Sequence, residues 1–546
     1  MSRAAELETR RSGDGEIGGR RERETTKNLL MKIFKVNGLK YTAILLLTIS
    51  TFASCMQMQN RSEITTATKA DKYGAYLSEL HARGQFNGNA LIIENGEMVF
   101  QGTFGIGNFD PVDSLELNSV FRLGSVSKQF TAMGIMILKE EGKLSYDQDI
   151  RAFIPELPYP GITIRHLLHH TSGLPDYSRI MNEHWKTDLA YDDPEKFIAG
   201  NEDILKMLVV YQPPVHFKPG EKWEYSNTGY NLLATIVSRA SGEPFHKYLQ
   251  EQIFIPAGMA NTSVYHYIPS FDEQMPNRVF GFGTKFNGVD RFSTDAHYLN
   301  AAYGEGGIYS TLEDLMKWDN ILYTDVLVSA STIEEAFSPG TLNNGDKTDY
   351  GFGWFIDTSP NGKKVVRHMG GWAGFLINIY REIEENNCII TLTNNNSRYF
   401  NMDDGLIDIL HNQPPKFPRT FIADVIGKKV QNEGITAAIA YYQKLKTEQP
   451  DHYIFNEYEL NFLGYELLGD QKIDEAIGIF KLNQEEYPQS ANVYDSYGDA
   501  LLAQGDTAHA LSNFKKVEAI DSTFFGIKKK IDALEANAIP GKASNK

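Results

Sequence analysis

The fold of this chain is decided by residues 121–132, Phe121-Arg122-Leu123-Gly124-Ser125-Val126-Ser127-Lys128-Gln129-Phe130-Thr131-Ala132. Gly124 interrupts the preceding segment, and the residues after Lys128 are apolar on most sides as far as Leu138, as in a buried helix. Residues three apart share one face of a helix, so Ser125 and Lys128 meet if a helix begins at Ser125. Burial favours the neutral form of lysine, and a neutral amine can take the proton of a serine hydroxyl. The stretch therefore predicts a nucleophilic serine at a helix N-terminus, where free N–H groups stabilise an oxyanion.

The Ser-x-x-Lys spacing is a weak signal by itself, because this chain contains it again at Ser512 and Lys515. That second copy lies in the middle of a helical repeat, where a solvated helix face is the natural interpretation. Context favours Ser125, which opens a buried helix.

A second candidate motif is Tyr225-Ser226-Asn227, which follows the turn-forming stretch Lys218-Pro219-Gly220-Glu221. A tyrosine hydroxyl near the lysine can relay a proton, and an asparagine amide can hold a substrate carbonyl and the lysine head. Tyr-x-Asn also occurs at 298–300 and 399–401, but only the copy at Tyr225 is followed by a helical pattern that would hold the loop in place.

The third motif is His368-Met369-Gly370-Gly371, at the end of a predicted strand, Lys364–His368. Glycine at this place lets a substrate backbone lie close along the strand, and a backbone N–H group can complete an oxyanion hole. The three motifs together predict one catalytic cleft.

The sheet is predicted to take strands from both ends of the domain. Asn95-Gly96 is a tight-turn dipeptide between two apolar runs and indicates a hairpin. Further strand candidates come much later, and mainly helical material lies between the two sets, which favours α+β layering over βαβ repetition. These later candidates are Lys364–His368, Phe375–Arg381 and Cys388–Thr393.

In this order, the three motifs resemble those of the serine β-lactamase and D-alanyl-D-alanine carboxypeptidase superfamily, in its class C β-lactamase-like branch. The similarity covers roughly residues 75–396 and includes stretches such as His169-His170-Thr171-Ser172-Gly173-Leu174, Pro256-Ala257-Gly258-Met259 and Gly304-Glu305-Gly306-Gly307. It implies an α+β fold of the β-lactamase/transpeptidase type, with an antiparallel sheet flanked by helices, and no cofactor or metal.

The resemblance also implies roles for individual residues. The expected catalytic residues are Ser125 as the acylated nucleophile, with Lys128 and Tyr225 as acid and base, and the expected substrate-binding residues are Asn227, His368, Gly370 and Gly371. The N–H groups of Ser125 and Gly371 would form the oxyanion hole. His368 takes the place of the lysine in the family's Lys-Thr-Gly triad, so both a permanent charge and a hydroxyl are absent.

This departure favours hydrolysis of an ester or a D-amino-acid peptide over hydrolysis of a β-lactam, with a true β-lactamase as the alternative. From another class, the domain could be an inactive module that senses cell-wall fragments. A metal hydrolase is a further alternative, because His166, His169 and His170 cluster. However, a His pair at 166 and 170 without the Glu of a zinc-protease helix is a poor ligand set, so loop and core histidines are expected.

The N-terminus indicates export. Residues 1–30 lack apolar periodicity and are expected to be disordered or an upstream extension of the true start at Met31. Residues 31–55 have the basic start, short apolar core and small-residue exit of a signal peptide. The end of this segment resembles a lipobox in which Cys55 is lipidated, with Phe52 in place of the usual Leu. We expect an exported, periplasmic or outer-membrane-anchored lipoprotein in which residues 56–72 form a tether.

A domain boundary is predicted at the proline-rich stretch after residue 410, so that residues 73–410 form the hydrolase domain and 411–430 a linker. In residues 431–540, Gly464, Ala476 and Phe480 recur 34 residues later as Gly498, Ala510 and Phe514. This resembles the tetratricopeptide repeat and implies an all-α domain. Such a domain could bind a protein partner in a groove or brace the enzyme.

The charge balance excludes one class of partner. The chain has 546 residues and a formal net charge of −17. Nucleic-acid binding needs clustered Lys and Arg, and the clusters here lie outside the predicted folded body. Nucleic acid is therefore not an expected partner. The resemblance implies a small-molecule ester, peptide or β-lactam substrate, and we expect membrane association only through the lipid anchor.

Overall fold

The computed structural model describes residues 67–188, 198–265, 275–295, 297–395 and 398–538. The chain divides after Thr68, and the elements below all belong to the second unit, Lys69–Lys546. The predicted N-terminal extension, the signal peptide with Cys55 and most of the tether lie outside the described residues.

The described strands are β1 (Gly88–Glu94), β2 (Glu97–Phe104), β3 (Ile106–Phe109), β4 (Val112–Ser114), β5 (Phe121–Arg122), β6 (Ser263–Val264), β7 (Phe282–Thr284), β8 (Arg291–Ser293), β9 (Ile308–Ser310), β10 (Phe355–Thr358), β11 (Lys364–Trp372), β12 (Phe375–Glu382), β13 (Asn387–Thr393), β14 (Thr420–Phe421) and β15 (Tyr453–Ile454). The described α-helices as far as the predicted linker are α1 (Lys69–Ala82), α2 (Lys128–Glu140), α3 (Ile164–Leu168), α4 (Tyr177–Asp188), α5 (Asn201–Tyr211), α6 (Asn227–Ser241), α7 (Phe245–Leu249), α8 (Leu312–Ile321), α9 (Ala330–Ala336) and α10 (Asp404–Leu410). Those that follow are α11 (Ile422–Glu433), α12 (Ile435–Glu448), α13 (Glu457–Gly469), α14 (Ile473–Glu486), α15 (Ala491–Gln504), α16 (Thr507–Ile520) and α17 (Ile527–Ala538).

Six of the described strands form an antiparallel sheet in the order β10-β11-β12-β13-β1-β2. The N-terminal hairpin β1–β2 thus pairs with β13, so the sheet takes strands from both ends of the domain, as the sequence predicts. The hairpin turn has positive φ at both Asn95 and Gly96, the backbone conformation that favours Asn-Gly.

Both faces of this sheet are covered. Leu91 and Ile93 face a large core shared with α2 and α6, whereas Ala90 and Ile92 face a smaller core shared with α1 and α10. Alternate side chains of a strand point to opposite faces, so a strand covered on both faces is buried along its length and is mostly apolar. Every residue of β12 and β13 is buried accordingly.

Strand β11 is longer than predicted. The sequence interpretation ends it at His368, but it continues through the glycines to Trp372, paired with β12 throughout. On its other side β10 covers only Lys364–Arg367. The part of β11 that carries the third motif therefore has an edge that β10 does not cover.

The C-terminal region is helical and packs against the preceding part of the chain. A Cβ atom on Gly464 of α13 would lie 2.5 Å from the Phe480 ring of α14, and one on Gly498 would lie 2.4 Å from the ring of Phe514. Glycine at these two positions therefore lets α13 pack closely on α14, and α15 on α16. Contacts to the preceding domain include an ion pair between Lys285 and Asp470 at 2.5 Å. No helix within the described ranges is long and apolar enough to cross a membrane.

Candidate active site

Ser125 lies in a single 3₁₀ turn, Gly124–Ser127, and the α-helix starts one turn later than predicted, at Lys128. Gly124 has a φ of +51°, the left-handed region that favours glycine. The expected contact is present despite this difference, because Lys128 Nζ lies 3.0 Å from Ser125 Oγ. A residue i+3 also shares a face with residue i in a 3₁₀ turn, so the spacing suits either type of helix.

The turn is held in place by β11. A Cβ atom on Gly370 would lie 2.0 Å from the carbonyl oxygen of Leu123 and 2.9 Å from the nitrogen of Ser125. Gly371, by contrast, is exposed, and a Cβ atom there would meet only the carbonyl oxygen of Phe375, at 4.0 Å. The two glycines therefore differ: Gly370 packs the strand onto the serine turn, and Gly371 presents backbone to the cleft.

Lys128 is fully buried and donates hydrogen bonds to three oxygens. They are Ser125 Oγ at 3.0 Å, Asn227 Oδ1 at 2.8 Å and the main-chain carbonyl of Glu305 at 2.9 Å. Loss of hydration lowers the lysine pKa to about 7, opposed by the negative charges of Glu305 and Asp176. A substantial fraction of Lys128 is therefore neutral near pH 7, in contact with the serine hydroxyl.

Tyr225 and Asn227 come together at the start of α6. The Tyr225 hydroxyl hydrogen-bonds with Ser125, and the Lys128 ammonium lies 4.9 Å from the Tyr225 ring centroid. Burial raises the pKa of Tyr225, so its phenol stays protonated at neutral pH. The backbone N–H of Asn227 donates to Asp176 Oδ2 at 2.9 Å, which fixes the start of the helix.

His368 is buried and neutral. Its Nδ1 donates to the carbonyl of Met369 at 2.7 Å, and its Nε2 accepts from the Tyr350 hydroxyl at 2.9 Å. Burial and the nearby charge of Lys128 lower its pKa to about 3. His368 therefore carries no positive charge at neutral pH.

Several residues around these groups were not predicted from the sequence to belong to the site. Tyr350 has no local signal, because its partner His368 lies on another element. Tyr177 and Glu305 bond to each other beside Lys128. Glu305 belongs to a Gly-rich stretch that the sequence does single out, but nothing local indicates that a carboxylate is buried there.

The three clustered histidines have separate environments. His166 Nδ1 accepts the N–H of Thr163 in a helix cap, and His169 Nδ1 donates to the carbonyl of Tyr350. His170 packs its ring 4.3 Å from that of Tyr225 and accepts the N–H of Ser226. Each ring is thus used in packing or backbone hydrogen bonds around the serine.

The chain is similar to several known proteins. The family model for beta-lactamase matches residues 74–411. Penicillin-binding protein 4* of Bacillus subtilis is 39% identical over 325 residues, which span 58% of this chain and 69% of that protein. D-aminopeptidase of Gluconobacter oxydans is 25% identical over 312 residues, 56% of each chain.

A solved structure is also similar. The penicillin-binding protein from Bacillus halodurans superposes with a TM-score of 0.51 at 26% identity, over 62% of this chain and 97% of that one. The range matched by the family model includes the serine turn, the start of α6 and all six strands of the main sheet. The chain therefore belongs to the beta-lactamase family and is a serine hydrolase.

Proposed function

We propose that the enzyme works through an acyl-enzyme formed on Ser125. Neutral Lys128 accepts the hydroxyl proton as Oγ forms a bond to the substrate carbonyl carbon, and the carbonyl oxygen becomes an oxyanion. The single observation that carries this proposal is the 3.0 Å contact of Ser125 with a buried lysine whose pKa is lowered to about 7. A base with a pKa near the working pH is the most effective one.

The oxyanion would lie between the N–H groups of Ser125 and Gly371, which the close packing of β11 on the serine turn supports. When the intermediate collapses, the bond to the leaving group breaks and that group needs a proton. Tyr225 is suited to deliver it, because its phenol stays protonated and is hydrogen-bonded to Ser125. Lys128 then returns the proton to Tyr225. Attack of water on the acyl group by the reverse route frees Ser125.

Substrate would lie along the free edge of β11, with its carbonyl near the Asn227 amide. We propose an ester or a D-amino-acid peptide as the substrate class, and the neutral state of His368 supports this choice. A β-lactam carries a carboxylate, for which a cation at this place would be favourable, and Met369 adds no hydroxyl. The relatives named D-aminopeptidase and penicillin-binding protein are compatible with such peptides.

The test is covalent labelling. Wild-type protein should react with a fluorophosphonate probe and turn over a small activated ester, and Ser125→Ala should do neither while keeping its melting temperature. Ser512→Ala, which removes the serine of the second Ser-x-x-Lys copy, is the matched control and should behave like wild type. Labelling that persists in Ser125→Ala contradicts the assignment. Binding of cell-wall fragments without any labelling of the native protein would favour the sensing module.

β-Lactam hydrolysis is the second candidate activity, favoured by the family model and by the likeness to penicillin-binding proteins. We expect kcat/KM for the ester to exceed that for a cephalosporin by at least about a hundredfold, the order of a lost charge-assisted contact in a desolvated site. Comparable values for the two substrates would make the protein a true β-lactamase.

For the C-terminal helices we propose tetratricopeptide repeats that brace the hydrolase domain. The 34-residue recurrence and the two glycine–phenylalanine contacts support the repeat assignment. Arg398 supports the bracing role, because it bonds both Asp424 and Glu459 across the predicted boundary. A pull-down with the full chain tests the alternative: enrichment of an exported partner that depends on exposed Phe462 of α13 would favour a binding groove.

Export as a lipoprotein through Cys55 remains a separate proposal, supported by the sequence of residues 31–55. Metabolic labelling with a palmitate analogue in a bacterial host tests it. Wild-type protein should be labelled in the membrane fraction and Cys55→Ala should not.

A further inference from the structure

Glu305 is a buried carboxylate that the proposed reaction does not use. Glu305 is 5% exposed and belongs to the glycine-rich stretch at residues 304–307. Its main-chain carbonyl accepts a hydrogen bond from Lys128. Oε1 accepts the Tyr177 hydroxyl at 2.5 Å, while Oε2 has no hydrogen-bond partner among the described residues. An ionised carboxylate with an unpaired oxygen is expensive to bury, so filling space does not explain why this residue is an acid.

The positive charge of Lys128 acts on Glu305, and each of the two groups favours the charged form of the other. Burial raises the pKa of Glu305 to about 7, and the charge of Lys128 opposes this rise. The charge of Glu305 in turn opposes the fall in the lysine pKa. Because the two buried groups interact, the charge state of one affects the titration of the other.

Other titratable groups face this pair from the surrounding elements. Asp176 adds a second negative charge, and the tyrosines nearby stay protonated because burial raises their pKa values. The histidines near Lys128 are neutral. The groups are Arg122, Asp176, His170, Tyr177, Tyr225, Tyr230, Tyr303 and His368. Glu305 is thus the buried carboxylate of this set whose ionisation is poised to change together with that of Lys128.

We propose that Glu305 is a positioning residue whose buried negative charge, held by Tyr177, sets the pH range in which Lys128 acts as the base toward Ser125. The inference rests on the proposed role of Lys128. Glu305 does not touch substrate in this arrangement; it acts through the lysine. Its main-chain carbonyl holds the amine in place, and its carboxylate determines how readily that amine keeps a proton.

The first test is Glu305→Gln, which keeps the size, the main-chain carbonyl and an oxygen for Tyr177 but removes the charge. Without that charge the Lys128 pKa falls further, so the free amine persists to lower pH. The acid limb of the kcat/KM profile for a small ester should move to lower pH by about one unit, which is a tenfold gain in the free-amine fraction well below the limb. A purely structural role would lower kcat at every pH and leave the limb where it is.

The second test is Tyr177→Phe, which carries the proposal if Glu305→Gln does not fold. Loss of the donated hydrogen bond raises the Glu305 pKa, so less negative charge stands beside the lysine at neutral pH. The limb should move in the same direction by a smaller amount, and the double variant should shift no further than Glu305→Gln alone. Equal and additive shifts would show that the two residues act separately, which contradicts the proposal.

Asp403→Asn is the matched control. Asp403 is also a buried carboxyl whose pKa burial raises to about 7, but it is hydrogen-bonded by Thr391 in the core on the other side of the sheet. The limb should not move in this variant. An unchanged limb in Glu305→Gln, or complete loss of its activity at every pH with the fold intact, overturns the role proposed for Glu305. Fluorophosphonate labelling of Ser125 in the same sample separates either result from a failure of the acyl-enzyme proposal.

Discussion

Gly370→Ala should damage catalysis although the substitution adds only one methyl group. The new Cβ atom would lie 2.0 Å from the carbonyl oxygen of Leu123, and 2.9 and 3.0 Å from the nitrogens of Ser125 and Val126. Ordinary contacts between heavy atoms lie at about 3.5–4.0 Å, so the strand and the serine turn must separate by more than about 1 Å. Neither side can relieve the overlap by a rotamer change, because all three atoms belong to the backbone.

A displacement of about 1 Å at reacting groups costs on the order of a hundredfold in rate. We therefore expect kcat/KM for a small activated ester to fall by about a hundredfold, together with a loss of about 1–3 kcal/mol in the free energy of unfolding from overpacking. Steady-state kinetics with the ester and urea unfolding measure the two effects. Retention of more than a third of the wild-type kcat/KM would refute the argument that β11 holds the serine turn through this glycine.

Two further variants serve as controls for this experiment. Gly469→Ala lies in a helix where an added Cβ atom meets nothing within 4 Å, so activity and stability should stay within error or improve slightly. Gly371→Ala also meets no close atom and should fold normally. Any loss of activity in Gly371→Ala would then report contact with substrate and not strain in the protein.

Three further predictions concern charged side chains that are buried or that form ion pairs. The neutral amine of Lys128 is the proposed base and its pKa is about 7, so kcat/KM for the ester should fall tenfold for each pH unit below about 7. Lys128→Met should be inactive throughout the pH range. Asp319→Ala should destabilise the fold by about 3–5 kcal/mol in urea unfolding, since it leaves the fully buried Arg381 without its ion-pair partner; a change below about 1 kcal/mol would contradict this. A double-mutant cycle of Lys285→Met and Asp470→Asn should give a coupling of at most about 1 kcal/mol, because both side chains are partly exposed, and a larger value would show a stronger interdomain bond than the geometry indicates.

The predicted elements that depended on local patterns agree with the structure to within a few residues. The Asn95-Gly96 hairpin and the strands near residues 375 and 390 follow from alternation and turn chemistry, which act over short distances. The error at β11 has a tertiary cause. From the sequence alone, two consecutive glycines predict the end of a strand. Here the strand continues through Gly370 and Gly371, because β12 pairs with it and the serine turn packs against it.

The charge state of His368 could not be predicted from its motif. The sequence shows an imidazole at the start of the third motif, which leaves open whether this position is charged. The structure makes it neutral, because burial and a nearby ammonium disfavour the imidazolium and Tyr350 donates to Nε2. Tyr350 is only 18 residues away, yet no periodicity connects the two positions.

By itself, the sequence indicated Ser125 as the nucleophile that we propose. A serine three residues before a lysine at the start of a buried helix is a local arrangement, and the later Tyr-x-Asn and His-x-Gly motifs separate it from the chance copy at Ser512. What only the tertiary structure decided is the chemistry of that pair. Burial lowers the pKa of Lys128, and the charges of Glu305 and Asp176, which are distant from it in the sequence, oppose this fall. Asn227 and Glu305, 99 and 177 residues away, accept the hydrogen bonds that hold the amine in place. A pKa is a sum over all the groups and all the solvent around an atom, so it is determined by the folded chain and not by the motif.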